Sequence, residues 1–183
     1  EIQTINKLIN EQSRPMTIII SGAKVSTKIV LIKKLLAKCD YMVLGGGILN
    51  TFLRAKGHEV GKSLIEEEHV SDAVKILESD IANKIIFPTD FSCATEDGIA
   101  NVELSRISTD DSIYDLGSAS INEIKNIVRK SVSVFWNGPL GYVEKKPFNK
   151  GTEELAKAIA DHNCFSIVGG GDTLPIIENL KLQ

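Results

Sequence analysis

The stretch FSIVGGGDT (Phe165–Thr173) runs four mostly apolar residues into three glycines, a carboxylate and a hydroxyl. A continuous apolar run suits a strand covered on both faces, as in a parallel sheet. Glycines placed directly after it let a backbone or a ligand approach closely. Asp172 and Thr173 then open a helix. Strand, glycine loop and helix in that order form the repeating unit of an open α/β sheet, which gathers ligands at the carboxyl ends of its strands.

The same unit recurs toward the amino terminus. MTIII (Met16–Ile20) precedes Ser21-Gly22-Ala23 and a helical STKIVLIKKLLAKC, with apolar residues at Ile29, Ile32, Leu35 and Leu36. YMVL (Tyr41–Leu44) precedes Gly45, Gly46 and Gly47 and a helical ILNTFLRAKG. The pattern predicts a longer helix from Leu64 to Ala82, with Glu66, Glu67 and Glu68 complementing the dipole of its first turn. KIIFP reads as a strand, as does SIYDL (Ser112–Leu116), which ends at Gly117. Ser120 and Glu123 have the spacing of a capping box for INEIKNIVRK. VSVFW ends at NGPLG, Thr152 to Ala160 reads as helix, and CFSIV is the last strand. The expected fold is one domain over residues 1–183, three-layer and Rossmann-like, with about six parallel strands and helices on both faces. Phe91 to Asp111 is expected to be mostly surface loop, with NVELSRI a short edge strand or ribbon. EIQTINKLINEQ opens as if mid-helix and without Met, so the chain reads as a fragment.

Bulk properties exclude several classes. The chain has 183 residues, 43% hydrophobic and 25% charged, with a formal net charge of -3. That is an ordinary globular composition with no basic surplus for nucleic acid. No apolar run reaches the roughly 20 residues of a membrane helix, and the opening residues do not read as a signal peptide. Cys39, Cys93 and Cys164 are widely spaced and form no CxxC pair. They read as reduced, buried thiols of a cytoplasmic protein, and a monomer is expected.

The glycine loops after Ser21, Leu44, Leu116, Asn137 and Val168 should share one rim. Each alone is an ordinary tight turn or helix cap; together they suggest a ligand lying against bare backbone. Lys24 and Lys28 are four apart at a helix start, a spacing that puts two ammonium groups on one face near the positive end of a dipole. Solvated surface lysines are the alternative. Asp172 suits Mg²⁺ beside a phosphate, and it equally suits a helix N-cap. The usual nucleotide motifs are absent: there is no GxxxxGK[ST], and GGGILN and GGGDTL both lack the last glycine of G-x-G-x-x-G.

Taken together, GAKVSTK, GGGILNTFLRAKGHEVGKSL, VFWNGPLGYVE, FNKGT and SIVGGGDT resemble the phosphoglycerate kinase family, specifically its carboxyl-terminal nucleotide-binding domain. The likeness runs from about Arg14 to Thr173. It implies phosphoryl transfer between 1,3-bisphosphoglycerate and ADP, giving 3-phosphoglycerate and ATP in glycolysis. By that likeness Lys28 holds the transferring phosphoryl group and Lys24 the nucleotide's phosphates, with Gly22 and Ala23 in the same loop. Gly46, Gly47 and Gly117 flank the adenine. Asn137, Gly138 and Pro139 line the phosphate side, and Glu144 takes the ribose hydroxyls. Asp172 holds Mg²⁺, with Gly170, Gly171 and Thr173 beside it.

The sequence departs from the family's pattern at three places. Thr27 stands where Asp is usual, Ser21 where Gly is usual, and Ser118 where Pro is common. The resemblance also implies an amino-terminal domain that binds phosphoglycerate, and a final glycine-rich loop, neither within these residues. Three functions are therefore expected to compete. They are the nucleotide half of a glycolytic kinase, a nucleotide-binding module without catalysis, and a dinucleotide-dependent oxidoreductase domain, which the broken glycine motif disfavours.

Overall fold

The computed structural model describes residues 14–181; the helical reading of the first twelve residues lies outside them. Five strands form a parallel sheet: β1 (Met16–Ser21), β2 (Tyr41–Gly45), β3 (Ile85–Ile86), β7 (Ser133–Asn137) and β8 (Phe165–Gly169), in the order β3-β2-β1-β7-β8. All six residues of β1 are buried, as are all five of β7. This is the burial of central strands covered on both faces, and it explains their unalternating apolar sequence. The helices are α1 (Ile29–Leu36), α2 (Gly46–Ala55), α3 (Val70–Leu77), α4 (Ser118–Lys130), α5 (Lys150–Ala160) and α6 (Leu174–Asn179). Register pairs Ser21 with Gly45, Ile20 with Asn137, and Asn137 with Gly169. Four strands thus end level, and their following loops converge on one rim.

The parallel sheet has five strands rather than about six because SIYDL joins a second sheet. There β4 (Asp90–Thr95), β5 (Gly98–Glu103) and β6 (Ser112–Leu116) pair antiparallel in the order β5-β4-β6. Much of the expected surface loop is therefore a hairpin. Thr95 pairs with Gly98 across the two-residue turn Glu96-Asp97, a tight connection of the kind antiparallel strands favour. The first three residues of NVELSRI, Asn101 to Glu103, close β5, an edge strand of this sheet, and Leu104–Arg106 turns away as a 3₁₀ turn.

Two local expectations are also corrected. The helix expected over residues 64–82 is shorter. Glu67–His69 is a 3₁₀ turn, α3 covers Val70–Leu77, and a second 3₁₀ turn follows at Ala82–Lys84. Glu66 is extended because its carboxylate reaches across to Ser26, accepting from the backbone N–H and the hydroxyl, both at 2.7 Å. These bonds hold the Glu66 carboxyl below its ordinary pKa. At the other end Ser79 Oγ donates to Ile76 O at 2.6 Å and helps close the helix.

The capping box of Ser120 with Glu123 does not form. The helix begins at Ser118, and Asp90 caps it from β4, accepting from Ser120 N at 2.8 Å and Ala119 N at 3.1 Å. Ser120 Oγ donates to Asp90 Oδ1 at 2.6 Å, and Asn101 Nδ2 to Oδ2 at 2.9 Å. Burial raises the Asp90 carboxyl, but the hydrogen bonds from Ser120 and Asn101 outweigh it and leave it below its ordinary value.

Candidate nucleotide site at the carboxyl edge

The rim is built by loops packed directly on one another. Gly46 has φ +60, and the place its Cβ would take is filled by the Gly22 carbonyl. Gly138 has φ +93, and a Cβ there would run into the Ser21 carbonyl. Both positions therefore require glycine, and part of the glycine pattern serves loop-on-loop packing. Ile48 N donates to Gly22 O at 3.1 Å, and Gly46 N to Leu140 O at 3.1 Å. Ser21 Oγ donates to Pro139 O at 2.5 Å, so the hydroxyl standing where the family has glycine ties β1 to the loop after β7.

Lys28 sits within this packing. Its Nζ donates to Ser21 O at 2.6 Å and to Asn137 Oδ1 at 2.5 Å, close beneath Gly22 and Gly138. The expected sharing of one helix face by Lys24 and Lys28 is not found. α1 begins at Ile29, Lys28 is its N-cap, and a turn closed by Lys28 N to Val25 O separates the two lysines. Lys24 is exposed in the loop ahead, and its carbonyl accepts from Thr27 Oγ1 at 2.9 Å. The threonine that replaces the family's aspartate thus braces the backbone of the turn.

A cavity of about 390 Å³ opens at this rim, within the range of small-molecule sites. Gly22, Ala23, Gly46, Gly47, Pro139, Glu144 and Asp172 line it, seven of the residues expected from sequence. Asn137, Gly138 and Gly170 lie just behind this wall: Gly138 N donates to Gly169 O at 3.4 Å, and Gly170 packs on Gly138. Gly171 faces open space. Gly117 is not among the residues that line this cavity, although Leu116 beside it shares a small hollow with Gly46 and Asn50. Gly117 precedes α4, with the Asp90 carboxylate and Asn101 filling the place of a Cβ.

Sequence reasoning missed Asn50, Leu64, Ile113, Tyr114, Gly141 and Tyr142, which complete the wall. Gly141 and Tyr142 fall inside the quoted VFWNGPLGYVE, and Leu64 ends GKSL, so those motifs held the signal. Asn50 stands one turn beyond Gly46 and Gly47 on the same helix face. Tyr114 meets Tyr142 edge-on at 5.6 Å and Phe148 at 4.9 Å. Tyr142 N donates to Tyr114 O at 2.7 Å, which fixes the second sheet against the rim.

Asp172 is exposed on the cavity, and Thr173 beside it is fully buried with its Oγ1 unpartnered among the described residues. Neither caps α6 through its side chain in the usual way, since the helix shows no side-chain cap bond. A carboxylate and an unmatched hydroxyl are hard oxygen donors, the set that fits Mg²⁺. A larger hollow of about 550 Å³ lies between Ala55, Lys56, Val74, Leu77 and Phe87. It lies beside β3 and holds none of the residues expected to bind a ligand.

The phosphoglycerate kinase family model matches residues 1–183. The phosphoglycerate kinase of Mycoplasmoides gallisepticum is 38% identical over 193 aligned residues, and that of Baumannia cicadellinicola 39% over 185. All of this chain is covered in both, against 47% of each relative. The chain thus spans about half the length of the curated relatives it matches. The solved phosphoglycerate kinase of Coxiella burnetii superposes with a TM-score of 0.89 at 34% identity, covering 99% of this chain and 49% of that one. The Pyrococcus horikoshii enzyme gives 0.85 at 27%, covering 97% and 47%. Among the described residues no helix is long and apolar enough to cross a membrane. With the rim geometry, the motifs and the match along its whole length in agreement, the chain belongs to the phosphoglycerate kinase family.

Proposed function

We propose that this chain is the nucleotide-binding half of a two-domain kinase that moves a phosphoryl group between 1,3-bisphosphoglycerate and ADP, in the cytoplasm and as a monomer. The observation that supports this best is the cavity at the carboxyl edge, walled by Gly22, Ala23, Gly46 and Gly47 and flanked by Lys28 and Asp172. In this reading Lys28 and Lys24 neutralise phosphate charge, Glu144 accepts from the ribose hydroxyls, and Asn137 orients Lys28. Asp172, with Thr173 beside it, would hold Mg²⁺, which supplies charge neutralisation on the phosphate oxygens. Gly117 would flank the adenine side, next to Leu116, which shares a small hollow with Gly46 and Asn50. Phosphoryl transfer depends mainly on positioning and charge, which such a rim provides for the nucleotide alone.

The test is calorimetric titration of the purified chain with ADP, ATP and NAD, with and without magnesium. Magnesium-dependent binding of ADP and ATP, without binding of NAD, is expected. NAD binding in preference to both would replace this reading with the oxidoreductase one.

A further inference from the structure

Asn50, on α2, is 3% exposed. Its Nδ2 donates to Leu64 O at 3.2 Å, while its Oδ1 is buried and has no hydrogen-bond partner among the described residues. The assignment of the two atoms is forced. Turning the amide over would set its oxygen against the Leu64 carbonyl, so the nitrogen faces that carbonyl and the unmatched atom is an acceptor. A buried acceptor without a donor is costly, and such groups call for a specific explanation.

The contacts of the cavity divide it into two ends. Gly22 lies over Lys28, and Asp172 follows the glycines that pack on Gly138, so the lysine and this carboxylate mark one end. Asn50 is joined to Leu64, and it shares a second, very small hollow with Ile113 and Tyr114. These neighbours offer mainly apolar and aromatic surface, on which any base can stack. Asp115, which shares that hollow, already accepts from Leu116 N and Gly151 N, so the Asn50 oxygen is the buried acceptor there left without a donor.

We propose that Asn50 reads the nucleobase: its Oδ1 accepts a hydrogen bond from the exocyclic 6-amino group of a bound purine, so that the site selects 6-aminopurine nucleotides. This rests on the nucleotide-binding reading above. The terminal torsion of asparagine is broad, so a small turn that keeps the Leu64 bond presents the oxygen to the base. A 6-oxo group would set one acceptor against another and leave both unmatched.

The test uses the full 183-residue chain with magnesium and compares ADP with purine riboside 5′-diphosphate, which carries hydrogen in place of the amino group. The unsubstituted chain is expected to bind ADP about tenfold more tightly, and the Asn50→Leu variant to bind the two equally. Equal binding by the unsubstituted chain overturns the proposal and leaves the nucleotide reading intact. A preference that persists in a folded Asn50→Leu variant also overturns it. If neither nucleotide binds the unsubstituted chain, the nucleotide reading falls and this proposal with it. Should the variant not fold, the two ligands on the unsubstituted chain decide the matter.

Discussion

The Lys28 ammonium rests 2.5 Å from the side-chain oxygen of Asn137, joining the start of α1 to the end of β7 across the central strand. The bond is local in space but spans 109 residues of sequence. It holds a flexible side chain at the point where the β1, β7 and β8 loops meet, so the charge is positioned before any ligand arrives. Pre-positioned charge loses less freedom on binding. Asn137→Ala is therefore expected to weaken Mg-ADP binding by roughly 1 kcal/mol, about fivefold, with the charge still present. Lys28→Ala should weaken it more, and the double variant should be no worse than Lys28→Ala, because Asn137 acts through the lysine. Calorimetry on the three variants checks this. Additive losses would mean that Asn137 meets the nucleotide independently.

Asp172→Asn keeps the size of the side chain and its ability to cap a helix, but removes the charge. If Asp172 holds the metal, the variant loses the magnesium dependence of ADP binding while its melting temperature stays within a degree or two. If the residue serves only the start of α6, nucleotide affinity does not change. Titration at two magnesium concentrations separates the outcomes.

How far the sequence could be read depended on the range of the signals. The parallel sheet and its glycine loops were legible because each β-loop-α unit is written in consecutive residues, as in YMVL with Gly45–Gly47. The antiparallel sheet was not. β5 is exposed along nearly all its length, so no alternation of apolar residues marks it. SIYDL looks like any buried strand, and its partner is chosen by contacts such as Gly61 with Ser112 and Asp90 with Ser120, far apart in sequence. The missed wall residues Ile113 and Tyr114 follow from the same cause. Asp90 illustrates it further: a cap drawn from another strand cannot be inferred from the four residues around the helix start.

That cap gives a prediction for stability. Asp90→Asn keeps one acceptor but breaks the arrangement of Ser120, Ala119 and Asn101 donors around the carboxylate. A loss of roughly 2 kcal/mol at neutral pH is expected. Because the folded carboxyl titrates below its ordinary value, its contribution is present above the unfolded pKa, near 3.8, and is lost as the pH falls through the folded value. The gap between the unsubstituted chain and the variant should therefore close below about pH 3.9. Urea unfolding at a series of pH values measures it. A constant gap would mean that charge is not involved.

Asp115 gives the opposite sign. It is 2% exposed, accepts from Gly151 N and Leu116 N at 2.8 Å each, and burial pushes its carboxyl up to about 6. The folded chain holds this proton more tightly than the unfolded chain. The associated stability is fully present below the unfolded pKa and is lost as the pH rises through the folded one. Between about pH 4 and pH 6 the protein should lose on the order of 3 kcal/mol from this group. Asp115→Asn, which cannot ionise, should flatten that decline. An unchanged slope in the variant would assign the decline to other groups.

The last prediction concerns turnover by the 183 residues alone. We expect them to bind Mg-ADP and to convert no measurable 1,3-bisphosphoglycerate. Binding draws on the rim: Lys28, the glycine walls, Glu144 and Asp172 all belong to it. Transfer demands that the acyl phosphate of the bisphosphoglycerate be held in line with the attacking oxygen of ADP. Such orientation is worth roughly 7–11 kcal/mol of barrier in well-positioned reactions. In our reading that holding belongs to the half of the relatives' length that this chain does not span. Closure around both substrates, which excludes water, needs that half as well. A coupled assay on the pure chain, run beside a calorimetric demonstration that ADP is bound, makes the comparison. Background-level turnover with intact binding is the expected result. Turnover near that of a whole enzyme, in a preparation free of host kinase, would place bisphosphoglycerate binding within these residues and end the division of labour proposed here.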